Sequence, residues 1–252
     1  MSELDQFFAE ISEEIAKDVN KKSLLQDFEH RFDLSIIPYQ LEINTWVSVS
    51  PDKLHEVFRD TSSFEGDLER NLASFNQELT ALECKSSQKE RLSNKFIEDS
   101  IYILLANRYF WVLSTAYTNE DSINIDLVTS GNKYGIIATP KEINTVLKLD
   151  EMNYQLYLLS LLKLIDTIVD YTTTTVINQS IGHSNTPSAN YTIGLINSQL
   201  VSKIQNGFSL LDLKNDLLRK KYDSLKYSCQ RLNKIVYDLS LRNLITTTAE
   251  LH

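Results

Sequence analysis

Residues 207–242 read GFSLLDLKNDLLRKKYDSLKYSCQRLNKIVYDLSLR, and within them Leu211, Leu218, Leu225, Leu232 and Leu239 recur every seven residues. Phe208, Asn215, Tyr222, Cys229 and Val236 form a second row, three residues ahead of the first. Two apolar rows at that offset lie along one side of an α-helix. The spacing predicts one helix from Ser209 to Arg242, roughly 50 Å long at 1.5 Å per residue. Such an edge has two uses: it packs on neighbouring helices of the same subunit, or it forms a seam between subunits. As an oligomer seam it would consist of Phe208, Leu211, Leu218, Tyr222, Leu225, Leu232, Val236 and Leu239. Asn215 and Tyr222 make a dry two-stranded coiled coil imperfect.

The rest of the chain agrees with a helical protein. Its 252 residues include only 6 glycines and 4 prolines. Those residues supply tight turns, so a chain this short of them favours long helices over many short strands. This length buries roughly 70–75% of the unfolded surface and needs no covalent staple. Two cysteines, Cys84 and Cys229, and four scattered histidines give neither a disulfide framework nor a zinc spacing. The start, MSELDQFFAEISEE, is acidic and amphipathic, unlike a targeting peptide. A reducing compartment is expected, cytoplasmic and also nuclear. The two most apolar stretches, Ile101–Tyr117 and Leu156–Val169, contain Arg108, Lys163 and Asp166. Charges at membrane depth cost roughly 2.5–3.5 kcal/mol each, so both stretches read as buried helices of one soluble domain spanning residues 1–252.

Other helices are predicted over residues 3–32, with Leu4, Phe7, Phe8, Ile11, Ile15 and Val19 as the apolar set, and over about Leu24–Ile43, locally broken at Ile37-Pro38. Ser50-Pro51 opens a helix that continues to about Cys84 and that Gly66 would bend or split. Ser86–Tyr117 follows. Thr139-Pro140-Lys141-Glu142 carries a capping-box pattern and starts a short helix ending near Leu149. Glu151–Thr173 is the next. Residues 119–138 read as an inserted loop, with room for a short strand, and residues 178–190 as a mobile polar loop.

Charge is unevenly distributed. The chain carries a net −9, yet Lys214, Arg219, Lys220, Lys221, Lys226, Arg231 and Lys234 crowd into 21 residues against Asp216 and Asp223. Such a window is a local basic surface on an acidic body, or a solvated helix face paired to it.

The run GFSLLDLKNDLLRKKYDSLKY, followed by Val236-Tyr237-Asp238-Leu239-Ser240-Leu241-Arg242, resembles the last helix of the translin family. It is nearer the translin branch than the sister branch, translin-associated factor X, which shares Gly207-Phe208-Ser209 but not Leu213-Lys214-Asn215-Asp216. Weaker similarity covers Lys95-Phe96, Thr139–Leu149 and Asn153-Tyr154, so about two thirds of the chain aligns. The resemblance implies an all-α bundle of about seven helices with a long C-terminal helix. It also implies assembly into an octameric shell, alone or with translin-associated factor X as a further partner, and binding of single-stranded RNA and DNA.

In the sister branch, acidic residues on two buried helices build a Mg²⁺-dependent endoribonuclease site. Aligned here, those positions hold Ala106, Tyr109, Ser160 and Leu164, and none is acidic. Carboxylates that converge on a metal are needed for such hydrolysis. Glu98, Asp99 and Asp166 are the nearest acids, and only a slip of alignment brings Asp166 to the place of Leu164. Gly131-Asn132-Lys133-Tyr134-Gly135 lacks the phosphate-loop spacing. The chain is therefore expected to be a non-catalytic subunit without cofactor or metal. For strand binding, phosphates need Lys or Arg and bases stack on aromatics. Lys85, Lys89, Arg91 and Lys95 form one segment, although Asp99 and Ile101 replace later basic positions of the family. Lys214, Arg219, Lys220, Lys221 and Lys226, beside Tyr222 and Tyr227, form the other. The alternative is a helical assembly protein that keeps the fold and has lost most nucleic-acid affinity.

Overall fold

A computed structural model describes residues 3–58, 61–118, 135–181, 191–214 and 217–245. Eight α-helices appear among them: α1 Glu3–Ser48, α2 Leu54–Val57, α3 Thr61–Ala81, α4 Ser86–Thr118, α5 Pro140–Leu147, α6 Tyr154–Ile181, α7 Thr192–Ser209 and α8 Leu217–Leu241. A 3-10 turn, Pro51–Lys53, leads into α2. The all-α class is as expected.

The two apolar stretches form the centre. α4 and α6 pack together more extensively than any other pair. Tyr102 Oη meets Thr167 Oγ1 at 2.9 Å, and Ser160 Oγ donates to the Glu98 carbonyl at 2.8 Å. Contacts therefore advance along both helices in the same direction. Leu105, Ala106, Tyr109, Leu164 and Ile168 have no solvent exposure, as a helix apolar on all sides requires. α1 adds an aromatic layer, with Phe28 and Phe32 against Phe75 of α3 and Phe96 of α4. No helix among the described residues is long and apolar enough to cross a membrane.

The Thr139 capping box forms as the sequence predicts. Glu142 N–H donates to Thr139 Oγ1 at 3.3 Å, and Thr139 N–H donates to Glu142 Oε2 at 2.7 Å. Lys148 closes α5 in the left-handed region, φ 52°.

Four boundaries are corrected. The break at Ile37-Pro38 does not occur: α1 is one helix of 46 residues with Pro38 inside it. Pro38 is exposed, while Phe28, Phe32, Ile36, Tyr39, Ile43 and Trp46 are buried along the opposite stripe. Packing of that stripe outweighs a local loss of roughly 3 kcal/mol for an interior proline. The helix opened by Pro51 is split at extended Phe58 rather than at Gly66, which lies within α3. Ser50 is its N-cap by backbone only, without a side-chain hydrogen bond. Residues 178–181, expected in a mobile loop, continue α6, and 182–190 lie outside the described residues. Of the 119–138 insertion, residues 119–134 lie outside the described set, while Ile136, Ile137 and Ala138 are non-helical and buried.

The largest correction concerns the last helix. The heptad rows continue through a turn: α7 ends at Ser209, residues 210–214 are not helical, and α8 is 25 residues long. Leu210 and Leu211 N–H groups bond back to Gly207 and Phe208 carbonyls, tightening the end of α7. The chain then reverses. Phe208 stacks on Tyr222, ring centroids 5.4 Å apart, and Ser198 bonds to Asn233 at 2.9 Å. Phe208, Leu218, Leu225, Leu232 and Leu239 are thereby buried within the subunit. Most of the expected oligomer seam is consumed by the core, with Leu211 exposed and Tyr222 and Val236 half-buried.

Candidate nucleic-acid interface

The first basic segment starts α4. Lys89 Nζ donates to the Thr80 carbonyl at 2.7 Å, tying α4 to the end of α3. Arg91 Nη2 lies 3.0 Å from Glu29 Oε2, and Lys95 Nζ lies 3.0 Å from Glu29 Oε1 and 2.7 Å from Asp33. The Arg91 hydrogen bond outweighs burial and, with Lys95, holds the Glu29 carboxyl below its usual range. Burial pulls the Lys95 ammonium down, but Asp33 and Glu29 more than offset it and its pKa is raised. These cations are spent on α1.

The second segment is α8 and the turn before it. Arg219 pairs with Asp223 one turn on, at 3.2 Å, with its guanidinium 5.9 Å from the Tyr222 ring centre. Burial raises the Glu98 and Asp166 carboxyls above their usual range, and Lys221 lies near enough to pull each only part of the way back. Arg231, a member of the charged window, reaches Asp170 at 3.3 Å. Lys214, Lys220, Lys226 and Lys234 are exposed and make no ion pair among the described residues.

Lys220, Tyr227 and Lys234 are spaced by seven and share the face of α8 opposite its buried leucines. Tyr227 is 69% exposed, and Tyr237, one turn beyond Lys234, is 65% exposed. Two ammonium groups interleaved with two open rings are the parts a single strand requires: charge for phosphates and flat faces for bases. Lys234 lies in the charge-dense window without being one of the cations expected to hold the strand, and Tyr237 lies beyond that window. The signal for Lys234 is its place two seven-residue steps after Lys220, and for Tyr237 its place one helical turn further on. Tyr222, expected beside the strand, is instead half-buried on Phe208. The two basic segments are not joined: Glu98 and Asp99, the latter paired with Lys163 at 3.0 Å, stand between them on α4.

The four positions aligned with the sister branch's acids are all fully buried. Tyr109 Oη donates to Asn197 Oδ1 at 2.9 Å, and Asn197 Nδ2 donates to Thr172 Oγ1 at 2.8 Å. Asp166 accepts from Ser228 Oγ at 3.3 Å, on the side facing α8.

Comparison with known proteins gives a match to the Translin family over residues 76–243. Translin of Gallus gallus is 51% identical over 47 residues, 19% of this chain and 20% of its own length. The translins of Homo sapiens and Mus musculus are each 48% identical over 52 residues, 21% of this chain and 23% of theirs. The aligned stretch thus spans less than a quarter of the curated relatives it matches.

Proposed function

The chain belongs to the Translin family, and from that premise we propose that it binds single-stranded RNA and DNA as a non-catalytic scaffold subunit of an oligomeric RNA-processing complex. The observation that carries this is the exposed Lys220–Tyr227–Lys234 line on α8, continued by Tyr237. The assembly is the family's octameric shell, of this chain alone or mixed with translin-associated factor X, in the cytoplasm and nucleus. Repetition around a shell raises the avidity of a patch with few cations. Catalysis is assigned to the sister subunit, since Ala106, Tyr109, Ser160 and Leu164 offer no carboxylate.

A second reading, a structural helical protein with little nucleic-acid affinity, is favoured by one observation: Arg91 and Lys95 are neutralised by Glu29 and Asp33. Binding of a labelled single-stranded RNA across a salt series separates the two. Lys220→Glu with Lys234→Glu should weaken binding and flatten the salt slope by about 1.4, the value for two phosphate contacts on a single strand. An intact oligomer with unchanged affinity and slope would exclude the α8 line and leave the Lys85–Lys95 segment, whereas no salt-dependent binding by the native chain would leave the structural reading.

A further inference from the structure

Where α1 passes the connection between α3 and α4, the two enclose a pocket of about 390 Å³. α1 brings Lys21 and Lys22 to it, and the connection brings Lys85. None of these three makes an ion pair among the described residues, unlike Lys17 on the adjoining hollow, which Glu13 and Glu14 hold. Lys85 thus differs from Arg91 and Lys95 of its own basic segment, which α1 neutralises. The recessed surface is largely apolar, made by half-buried Leu25, Cys84 and, in the adjoining hollow, Leu82. The corner itself is fixed: Lys89 Nζ donates to the Thr80 carbonyl, and Gln88 Oε1 accepts from Lys85 N–H at 3.2 Å. With its oxygen engaged, Gln88 keeps its two Nε2 hydrogens for a ligand.

Two carboxylates, Asp18 and Glu83, also line the pocket. Three cations against two anions are a poor trap for a bare anion. They suit a ligand that carries an anion at one end and hydroxyl groups beside it. The geometry points to a site for a nucleoside 5′-monophosphate, either free or as the 5′ end of a strand. Lys21, Lys22 and Lys85 take the phosphate, whose charge is roughly −1.5 to −2 near neutral pH. Asp18 and Glu83 accept from the sugar hydroxyls, as carboxylates do in dinucleotide sites. The base lies on Leu25 and Leu82, with Gln88 Nε2 donating to its edge. The volume falls in the range of small-molecule sites, roughly 300–1,000 Å³. The pocket shares no residue with the Lys220–Tyr227–Lys234 line, so it stands or falls apart from the proposed function.

The experiment is titration calorimetry on the full chain. AMP should bind, and adenosine and inorganic phosphate should each bind at least about tenfold more weakly, since each lacks half of the contacts. Lys21→Gln with Lys85→Gln should lower AMP affinity at least about tenfold with unchanged circular dichroism. Lys220→Glu with Lys234→Glu should leave it unchanged. Asp18→Asn with Glu83→Gln should tighten inorganic phosphate yet weaken AMP. Tightening of both reveals a plain cationic patch and overturns the inference, as does AMP binding no better than phosphate, or not at all at millimolar concentration. RNA with a 5′-phosphate, set against its 5′-hydroxyl form, identifies the source. A preference lost in the Lys21→Gln, Lys85→Gln chain puts a strand end in the pocket, and equal affinities leave the free nucleotide. A chain that binds AMP but no RNA refutes the proposed function and leaves the pocket standing; one that binds RNA but not AMP does the reverse.

Discussion

Glu29 decides how much of the first basic segment is available to a ligand. It accepts from both Arg91 and Lys95, and its pKa lies below the ordinary value of 4.5. A depressed carboxyl adds stability above its unfolded-state pKa and loses it as the pH falls through the lower folded value. The melting-temperature gap between the native chain and Glu29→Gln should therefore be widest at neutral pH and close below about pH 4. Glu29→Gln with Asp33→Asn should also free Arg91 and Lys95, raising RNA affinity and steepening the salt slope by about 1.4. If affinity stays constant in a folded variant, this face of α4 is not near the strand. None of this was legible in sequence. Arg91 and Lys95 read as free cations because their partner lies 62 and 66 residues away on another helix. The weakness of the segment was visible through Asp99 and Ile101, but its cause was not.

At the level of single helices, the sequence is most legible where a local rule and the packing agree. Ser86 was read correctly as the start of α4, and Thr139 and Glu142 as a capping box, because the signals lie within one turn of each other. Periodicity failed where the pattern is blind to the path of the chain. A heptad row continues through residues 210–214 whether the helix does or not, and poor helix formers such as Gly207 and Asp212 were outvoted by leucines. Pro38 erred the other way, since a breaker rule carries no knowledge of the six buried residues that keep α1 continuous through it. Pro38→Ala should stabilise the fold by roughly 1–3 kcal/mol by restoring a helical donor on the exposed face. Gly66→Ala should add roughly 0.5–1 kcal/mol, because a Cβ there meets nothing within 4 Å. Leu225→Ala, on the buried row of α8, should cost roughly 2–5 kcal/mol in denaturant unfolding. A cost below about 1 kcal/mol would mean that α8 does not pack on its own subunit.

For the molecule as a whole, one polar chain crosses the core: Tyr109 of α4, Asn197 of α7 and Thr172 of α6, all buried. It ties the reversing α7 to the two central helices at a position where the sister branch is expected to carry an acid. Asn197→Ala should cost roughly 1–3 kcal/mol, since the buried Tyr109 hydroxyl loses this acceptor while Thr172 still donates to the Ile168 carbonyl. An unfolding midpoint within error of the native chain would show that water replaces the amide. α1 has a different consequence at this scale. Its 46 residues share a single hydrogen-bond ladder, roughly 70 Å long, but only the inner turns are clamped by side chains. Amides near Phe32 and Trp46 can exchange their hydrogens for deuterium only when the bundle opens, whereas fraying from the free end is enough to expose those before Leu24. The rate should therefore climb steeply within one unbroken helix, with the step near Leu25.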